Sequence, residues 1–400
     1  MAINFMDTVQ ISTVLNAIVA QAAGKAALAT VDTKDFVAVA KVGLEAGYDK
    51  LVTAISQVLS RTIYSNRPYT RQLRLLETDT LQYGNHVRKI QFIDSDWGDN
   101  EAYKLTNGYS KDPWEVKKPQ AVQTNFYGKV TAQRFITVYR DQLREAMQGP
   151  AEFGSFFSAL MTQMQNEIEQ SREETARMTL ANLIGGTLAI ANTSNPAQII
   201  HLVTEYNVAI GSPSPALTLS DLSAPPYFAD FARWIMGRIK TASKALKNRS
   251  VIYHQNPTAA SPNSGYVSRH TPIQDQRLVL YGPFFDRVES NVLSTTFNED
   301  DLKLMEREEG TFWQNPASPA SIKIDASFTK PDGTIDDAGI NSNLVLGVLF
   351  DREAAGITLI GEEMSTSPYN NRGKYYNIFF DFETRYYNDN FENVIVFGLD

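Results

Sequence analysis

The chain has 400 residues, 43% hydrophobic and 20% charged, with a net charge of −8, enough length for two or three domains around an ample core. The acidic balance argues against a nucleic-acid binder whose affinity rests on phosphate neutralisation, and the lack of cysteine excludes disulfides, thiolate metal sites and thiolate nucleophiles. The four histidines (His86, His201, His254 and His270) show no metal-ligand spacing, no run reaches the ~20 apolar residues of a membrane span, and the start, with Asp7 and no basic region, is not a secretory signal.

Residues 1–83 read as helices. Asp7-Thr8 caps one carrying Ile11, Val14, Leu15, Ile18 and Val19; Asp32-Thr33 caps another with Phe36, Val37, Ala40 and Leu44. Leu51, Ile55, Val58 and Leu59 line a third. These alanine-rich faces need a surface, either in a helical subdomain or across neighbouring subunits. "VRKIQFI" (Val87 to Ile93) and "AVQTNFYGKV" from Ala121 read as strands. The long polar connection between them reads as a projecting hairpin, because disordered segments are poor in aromatics and this one carries Trp97, Tyr103, Tyr109 and Trp114. Its charges are segregated. Asp94, Asp96, Asp99 and Glu101 come first, and Lys111, Lys117 and Lys118 last.

"AQRFITVY" (Ala132 to Tyr139) is a strand, followed by a short helix and a break at Gly149-Pro150. A long helix then runs from Pro150 to a stop at Gly185-Gly186, about 34 residues or about 50 Å. Its face is Phe153, Phe157, Leu160, Met164, Ile168, Ser171, Thr175, Met178 and Asn182. The polar middle, Glu167 to Arg177, predicts a strut gripped at its ends, wetter between, and cheap to bend there. After a turn-rich passage, Pro225-Pro226 opens a second helix with Phe228, Phe231, Ile235, Ile239, Ala242 and Leu246 on one face. Its basic stripe (Arg233, Arg238, Lys240, Lys244, Lys247, Arg249) reads as a solvent face. "SVIYH", "QRLVLYG" and "FDRVESNVL" read as strands, and "TFWQNPASPASIKI" turns into another, giving one α/β lobe over 225–325. "NLVLGVLF" is a buried strand, Asp351 caps a single helical turn, and "YYNIFFDFETRYY" alternates strictly. Asn388-Asp389-Asn390 then turns the chain so that "NVIVFGL" pairs back.

The chemical inventory is empty. No phosphate loop, dinucleotide fingerprint, nucleophile elbow or zinc motif occurs. Asp94, Asp96, Asp99 and Glu101 lack the spacing and glycine of a calcium loop, and His254 reads as a satisfied hydrogen-bonder. No catalytic residue, metal ligand or cofactor is expected.

The order of helical arm, long hairpin, spine helix, α/β lobe and return strand resembles the major capsid proteins of tailed bacteriophages, whose α+β shell fold is named after phage Hong Kong ninety-seven. The resemblance rests on "QRFITVYRDQLREAMQGPAEFGSFFSALMTQMQNEIEQ" and on "VLFDREAAGI" with "YYNIFFDFETRYYNDNFENVIVFG". It implies an N-terminal arm at 1–83, an extended loop at 84–131, a peripheral domain at 132–200 and 341–400, and an axial domain at 201–340. It implies an icosahedral shell of hexamers and pentamers around double-stranded DNA, built in the host cytoplasm, without catalysis, membrane contact or sequence-specific DNA binding. Portal, scaffold and cement proteins are the implied partners. Since the chain begins at Met1, whereas relatives that remove a scaffolding segment start later, a separate scaffold or none is expected. Subunit-interface candidates are Trp97, Tyr103, Tyr109, Trp114, Asp94, Asp96, Lys117 and Lys118; covalent cross-linking through a loop lysine is not expected. The alternatives are a cellular nanocompartment shell of the same fold and a cytosolic enzyme using Asp94 and Asp96.

Overall fold

A computed structural model describes residues 71–78, 87–94, 103, 107–108, 110–116, 118, 121–141, 150–191, 195–256, 267–292, 306–329, 334–342 and 344–399. The expected helices of 1–70, Asp96, Trp97, Tyr109, Lys117 and the break at Gly149 lie outside these residues, as do the side chains of Phe153 and Phe157.

Three strands come first: β1 (Val87–Phe92), β2 (Ala121–Phe126) and β3 (Lys129–Tyr139). Helix α1 (Pro150–Ala191) follows, then β4 (Ile199–His201), α2 (Leu202–Ala209), α3 (Leu219–Leu222) and α4 (Phe228–Leu246). Next are β5 (Gln276–Tyr281), α5 (Gly282–Val292), β6 (Glu306–Gly310), β7 (Ile322–Thr329) and β8 (Ile335–Ser342). The chain closes with β9 (Val345–Asp351), β10 (Ala355–Thr366), β11 (Tyr375–Asn388) and β12 (Val394–Gly398).

The centre is a five-stranded sheet in the order β4-β12-β9-β5-β6. Both of its faces are covered, so β9 and β12 are buried at every position. One face, with Leu278, Leu280, Leu346, Leu349, Ile395 and Phe397, packs on Phe231, Ile235 and Ile239 of α4. The other, with Val279, Val348, Phe350, Val394 and Val396, packs on Leu180, Leu183 and Ile184 of α1. The apolar stripe of α4 is the one its spacing predicts: Phe228, Phe231, Ile235, Ile239, Ala242 and Leu246 are all buried. A second sheet, β10-β11-β3, is antiparallel. Its inner face carries Ile136, Val138, Tyr376, Ile378, Phe380 and Phe382, matching the alternation of β11.

Several local expectations are corrected. Helix α1 has 42 residues and runs straight through Gly185-Gly186. A Cβ on Gly185 would lie 2.8 Å from Ala326 Cβ, and one on Gly186 3.1 Å from Phe328 Cβ. The pair admits the β7–β8 hairpin against the helix and is not a stop. Met178, read as core, is exposed, whereas Ala176, Thr179, Leu180, Ala181, Leu183 and Ile184 are buried, because the last turns are enclosed by two sheet layers. "FDRVESNVL" lies in α5, whose Phe284, Phe285 and Val288 share one buried helical face. Ser250 forms only an isolated bridge, to Arg269. After Asp351 comes a turn that joins two sheets, closed by the Ala354 amide on the Asp351 carbonyl at 2.8 Å. Strand β12 leaves the turn after β11 and pairs with β9 and β4 instead of returning along β11.

Candidate interaction surface

Strands β1 and β2 form an antiparallel hairpin whose register runs from Val87↔Phe126 to Phe92↔Ala121, so residues 93–120 leave from one end of it. From Tyr103 on, the described side chains of that connection are exposed: Tyr103 at 86%, Trp114 at 83% and Val116 at 80%, as are Lys111 and Lys118. The strand itself is patterned in reverse. Val87, Lys89 and Gln91 face inward, while Ile90 (52% exposed) and Phe92 (67%) face out. With Arg88 beside Ile90 and Phe92 on the outer side and Lys89 on the inner one, the strand is not held chiefly by a hydrophobic core.

It is held by ions. The Lys89 ammonium lies 3.1 Å from an Asp389 carboxylate oxygen and 3.4 Å from Glu353, and it donates to Glu392. Arg269 donates to the same Glu392 carboxylate. Burial works against the Lys89 charge, but Asp389 and Glu392 outweigh it and hold the ammonium above its ordinary pKa. Burial pushes the Glu392 carboxyl up to about 7, against the pull of Lys89 and Arg269. The turn bearing these acids is itself fixed. The Asp389 amide donates to the Ala354 carbonyl at 2.7 Å, the Phe391 amide to Asp389 Oδ1 at 3.0 Å, and Asn390 Nδ2 to Thr187 Oγ1 of α1 at 3.1 Å. Asn393 Nδ2 donates to Thr271 Oγ1 at 3.1 Å, and Thr271 in turn donates to Asp351 at 2.7 Å. His254 sits between Asn393 Oδ1 (3.0 Å) and the Val267 carbonyl (2.6 Å). Burial lowers its pKa, and it is the satisfied hydrogen-bonder the sequence suggests.

Asp94, expected at an interface, is engaged within the chain: it accepts from Arg249 Nη2 and from the Ser268 amide, each at 2.7 Å. Burial alone would raise its carboxyl, yet the Ser268 and Arg249 hydrogen bonds hold it below the usual range. Three of the six residues of the basic stripe form ion pairs as well, Arg233 with Asp230, Arg238 with Glu205 and, just past the end of α4, Arg249 with Asp94. An open cleft of about 600 Å³ beside Phe92, Arg269, His270 and Arg352 mixes charges of both signs. Among the described residues no acidic or histidine cluster could hold a metal ion, and no helix is long and apolar enough to cross a membrane.

Residues 71–78 form a strap across α1. Glu173 Oε2 accepts the amides of Gln72 (3.0 Å) and Leu73 (3.1 Å), and Glu308 accepts those of Arg74 (2.8 Å) and Leu75 (3.2 Å). Arg177 pairs with Glu173 at 2.6 Å and lies 4.0 Å over the Phe312 ring. One face of the middle of α1 is therefore dry: Ser171, Glu173 and Thr175 are buried, Glu173 at 6% exposure, while Gln170 and Glu174 are exposed. That corrects the wet midsection on this face. Its cover comes from 101 positions away, beyond reach of any periodicity.

A second exposed face is the outer side of the β10-β11-β3 sheet. Phe135 and Phe379 have ring centroids 6.1 Å apart, and Tyr139 and Tyr375 5.9 Å. Toward the other end, Asp381 accepts from Gln133 at 2.7 Å and Glu383 pairs with Lys129 at 2.9 Å. The reading of the sequence passed over Lys89, Glu392 and this aromatic ladder. Lys89, flanked by Arg88 and Ile90 in an alternating strand, is the one signal that was visible.

A family model described as Phi29-like phage major capsid protein matches residues 15–398. Among solved structures, the chain is similar to one in the structure of the head fiber and inner core protein gp22 of native bacteriophage P68, with a TM-score of 0.54 and 10% identity over 84% of this chain and 86% of that one. It is also similar to a chain in the capsid structure of Staphylococcus phage Andhra, with a TM-score of 0.47 and 12% identity over 84% and 88%. No curated protein matches it.

Proposed function

The chain belongs to the Phi29-like phage major capsid protein family, and from that premise we propose that it self-assembles into a closed icosahedral shell around the double-stranded DNA of a tailed bacteriophage. It is a shell protein of the virion with the α+β capsid fold. Hexamers and pentamers of this chain, assembly in the host cytoplasm, and portal, scaffold and cement partners belong to the proposal, as does a purely structural role without catalysis, cofactor or membrane contact. The mechanism is the addition of many weak contacts, each reversible alone and stable together.

The observation that carries this reading is the exposed hairpin. Heterologous contacts need two different, complementary surfaces on one chain. Tyr103, Trp114 and Val116 offer aromatic and apolar groups, with Lys111 and Lys118 beside Asp112 and Glu115. The outer sheet face offers Phe135, Tyr139, Tyr375 and Phe379 beside Asp381 and Glu383. We place the hairpin of one subunit on another subunit, with Asp96, Trp97, Tyr109 and Lys117 included in that contact and Asp94 at its root. We also divide the chain into an arm at 1–83, a loop at 84–131, a peripheral part with the spine helix at 132–200 and 341–400, and an axial part at 201–340. Strands β9 and β12 pair with β5 and β4, so one sheet runs across both parts. Tyr103→Ala combined with Trp114→Ala should leave folded subunits that assemble poorly, because aromatic anchors dominate contact energies. Normal shell yield from that variant would overturn the reading.

A further inference from the structure

We propose that Lys89 is a positioning residue: seated between Asp389 and Glu392, it sets the direction in which the β1–β2 hairpin leaves the body of the subunit. The inference deepens the assembly reading and rests on it only for its consequence in shells.

Three observations carry it. The inward side of β1 offers Val87, Lys89 and Gln91, and the ion pairs of Lys89 tie it to the body. Ion pairs and hydrogen bonds have preferred directions, whereas apolar contact has none. The receiving turn does not yield, since its backbone and side chains are tied to Ala354, to Gln255 and, through Asn390, to Thr187 of α1. Finally, the chain is pinned again at Asp94, by Arg249 and the Ser268 amide. Five residues of strand separate Lys89 from Asp94, about 17 Å. A rod held at two such points has a fixed heading; held at one, it can swing. The ring contact of Phe126 with Tyr387, at 5.4 Å, secures the root of the hairpin and leaves its angle to the ionic pins. Glu353, the most exposed of the three acids around Lys89, adds little.

The chain has no cysteine, so paired nitroxide labels at Lys118→Cys and Lys244→Cys, both exposed positions, report the heading of the hairpin relative to α4. Labelled chain is diluted into unlabelled chain and measured by double electron–electron resonance. The parent should give one narrow distance peak, and Lys89→Arg should keep it. Lys89→Met should lose the narrow peak, though it also strands buried carboxylates and risks misfolding. The deciding variant is therefore Lys89→Met with Asp389→Asn, which neutralises both members of the buried pair, leaves Arg269 on Glu392 and is expected to melt near the parent. Loss of the narrow peak in that stable double variant supports a positioning role; a peak as narrow as the parent's overturns it. Shell yield is scored separately. A double variant with a lost peak and normal shells leaves the positioning role standing and refutes docking through the hairpin.

Discussion

Glu392 lies against two cations, Lys89 and Arg269, yet burial pushes its carboxyl from 4.5 to about 7. Between those two values the folded chain holds a proton that the unfolded chain has released. Stability from this group is thus greatest below pH 4.5, declines through the window, and is lost as pH rises through 7. The full effect is at most about 3 kcal/mol. Asp351, raised by burial, acts in the same direction. The charged groups facing Glu392 are Lys89 on β1, Arg269 ahead of β5, and Asp389 in its own turn. Glu392→Gln is permanently neutral and should flatten urea-denaturation stability between pH 5 and pH 8. Parallel curves for variant and parent would show that another group governs that range. The same scale explains the dry face in the middle of α1: Glu173 spends one oxygen on two strap amides and the other on Arg177. A bend there would break all of them, so curvature changes in α1 belong outside 171–177.

At the scale of elements, the Gly185-Gly186 pair is the most sensitive junction. Gly185→Val would drive a branched side chain into Ala326 and Ile324 of β7, and we expect a loss of about 1–3 kcal/mol. Gly237, on the exposed side of α4 with open space around it, is the control. Gly237→Ala should stabilise by up to about 1 kcal/mol. Chemical denaturation of both variants tests this, and equal stability of the Gly185 variant and the parent would contradict the close packing. Elements with strong local periodicity were legible from sequence: the stripe of α4, the alternation of β11, and the long helix itself. Features set by distant chain were not. The strap that dries α1 and the crossing of β12 into another sheet depend on partners far along the sequence. So does the turning of charge inward on β1, since nothing near Lys89 announces Glu392. Helix α5 was missed for a local reason, because its adjacent Phe284 and Phe285 mimic a short buried strand.

At the scale of the whole molecule, two sheets meet along α1, and the hairpin leaves from the seam between them, tied to the turn that joins β11 to β12. Each subunit carries an aromatic projection and an aromatic sheet face, both with charges of both signs. A contact between two different patches propagates from copy to copy and closes only if the angles sum to a ring, which is why the heading of the hairpin matters more than its affinity. The most direct measurement is cryo-electron microscopy of particles formed by the purified chain. We expect closed icosahedral shells whose averaged map places residues 94–119 of each subunit against a neighbouring one. Folded chain that forms no closed shell, or a map in which the hairpin lies back on its own subunit, would contradict the proposal.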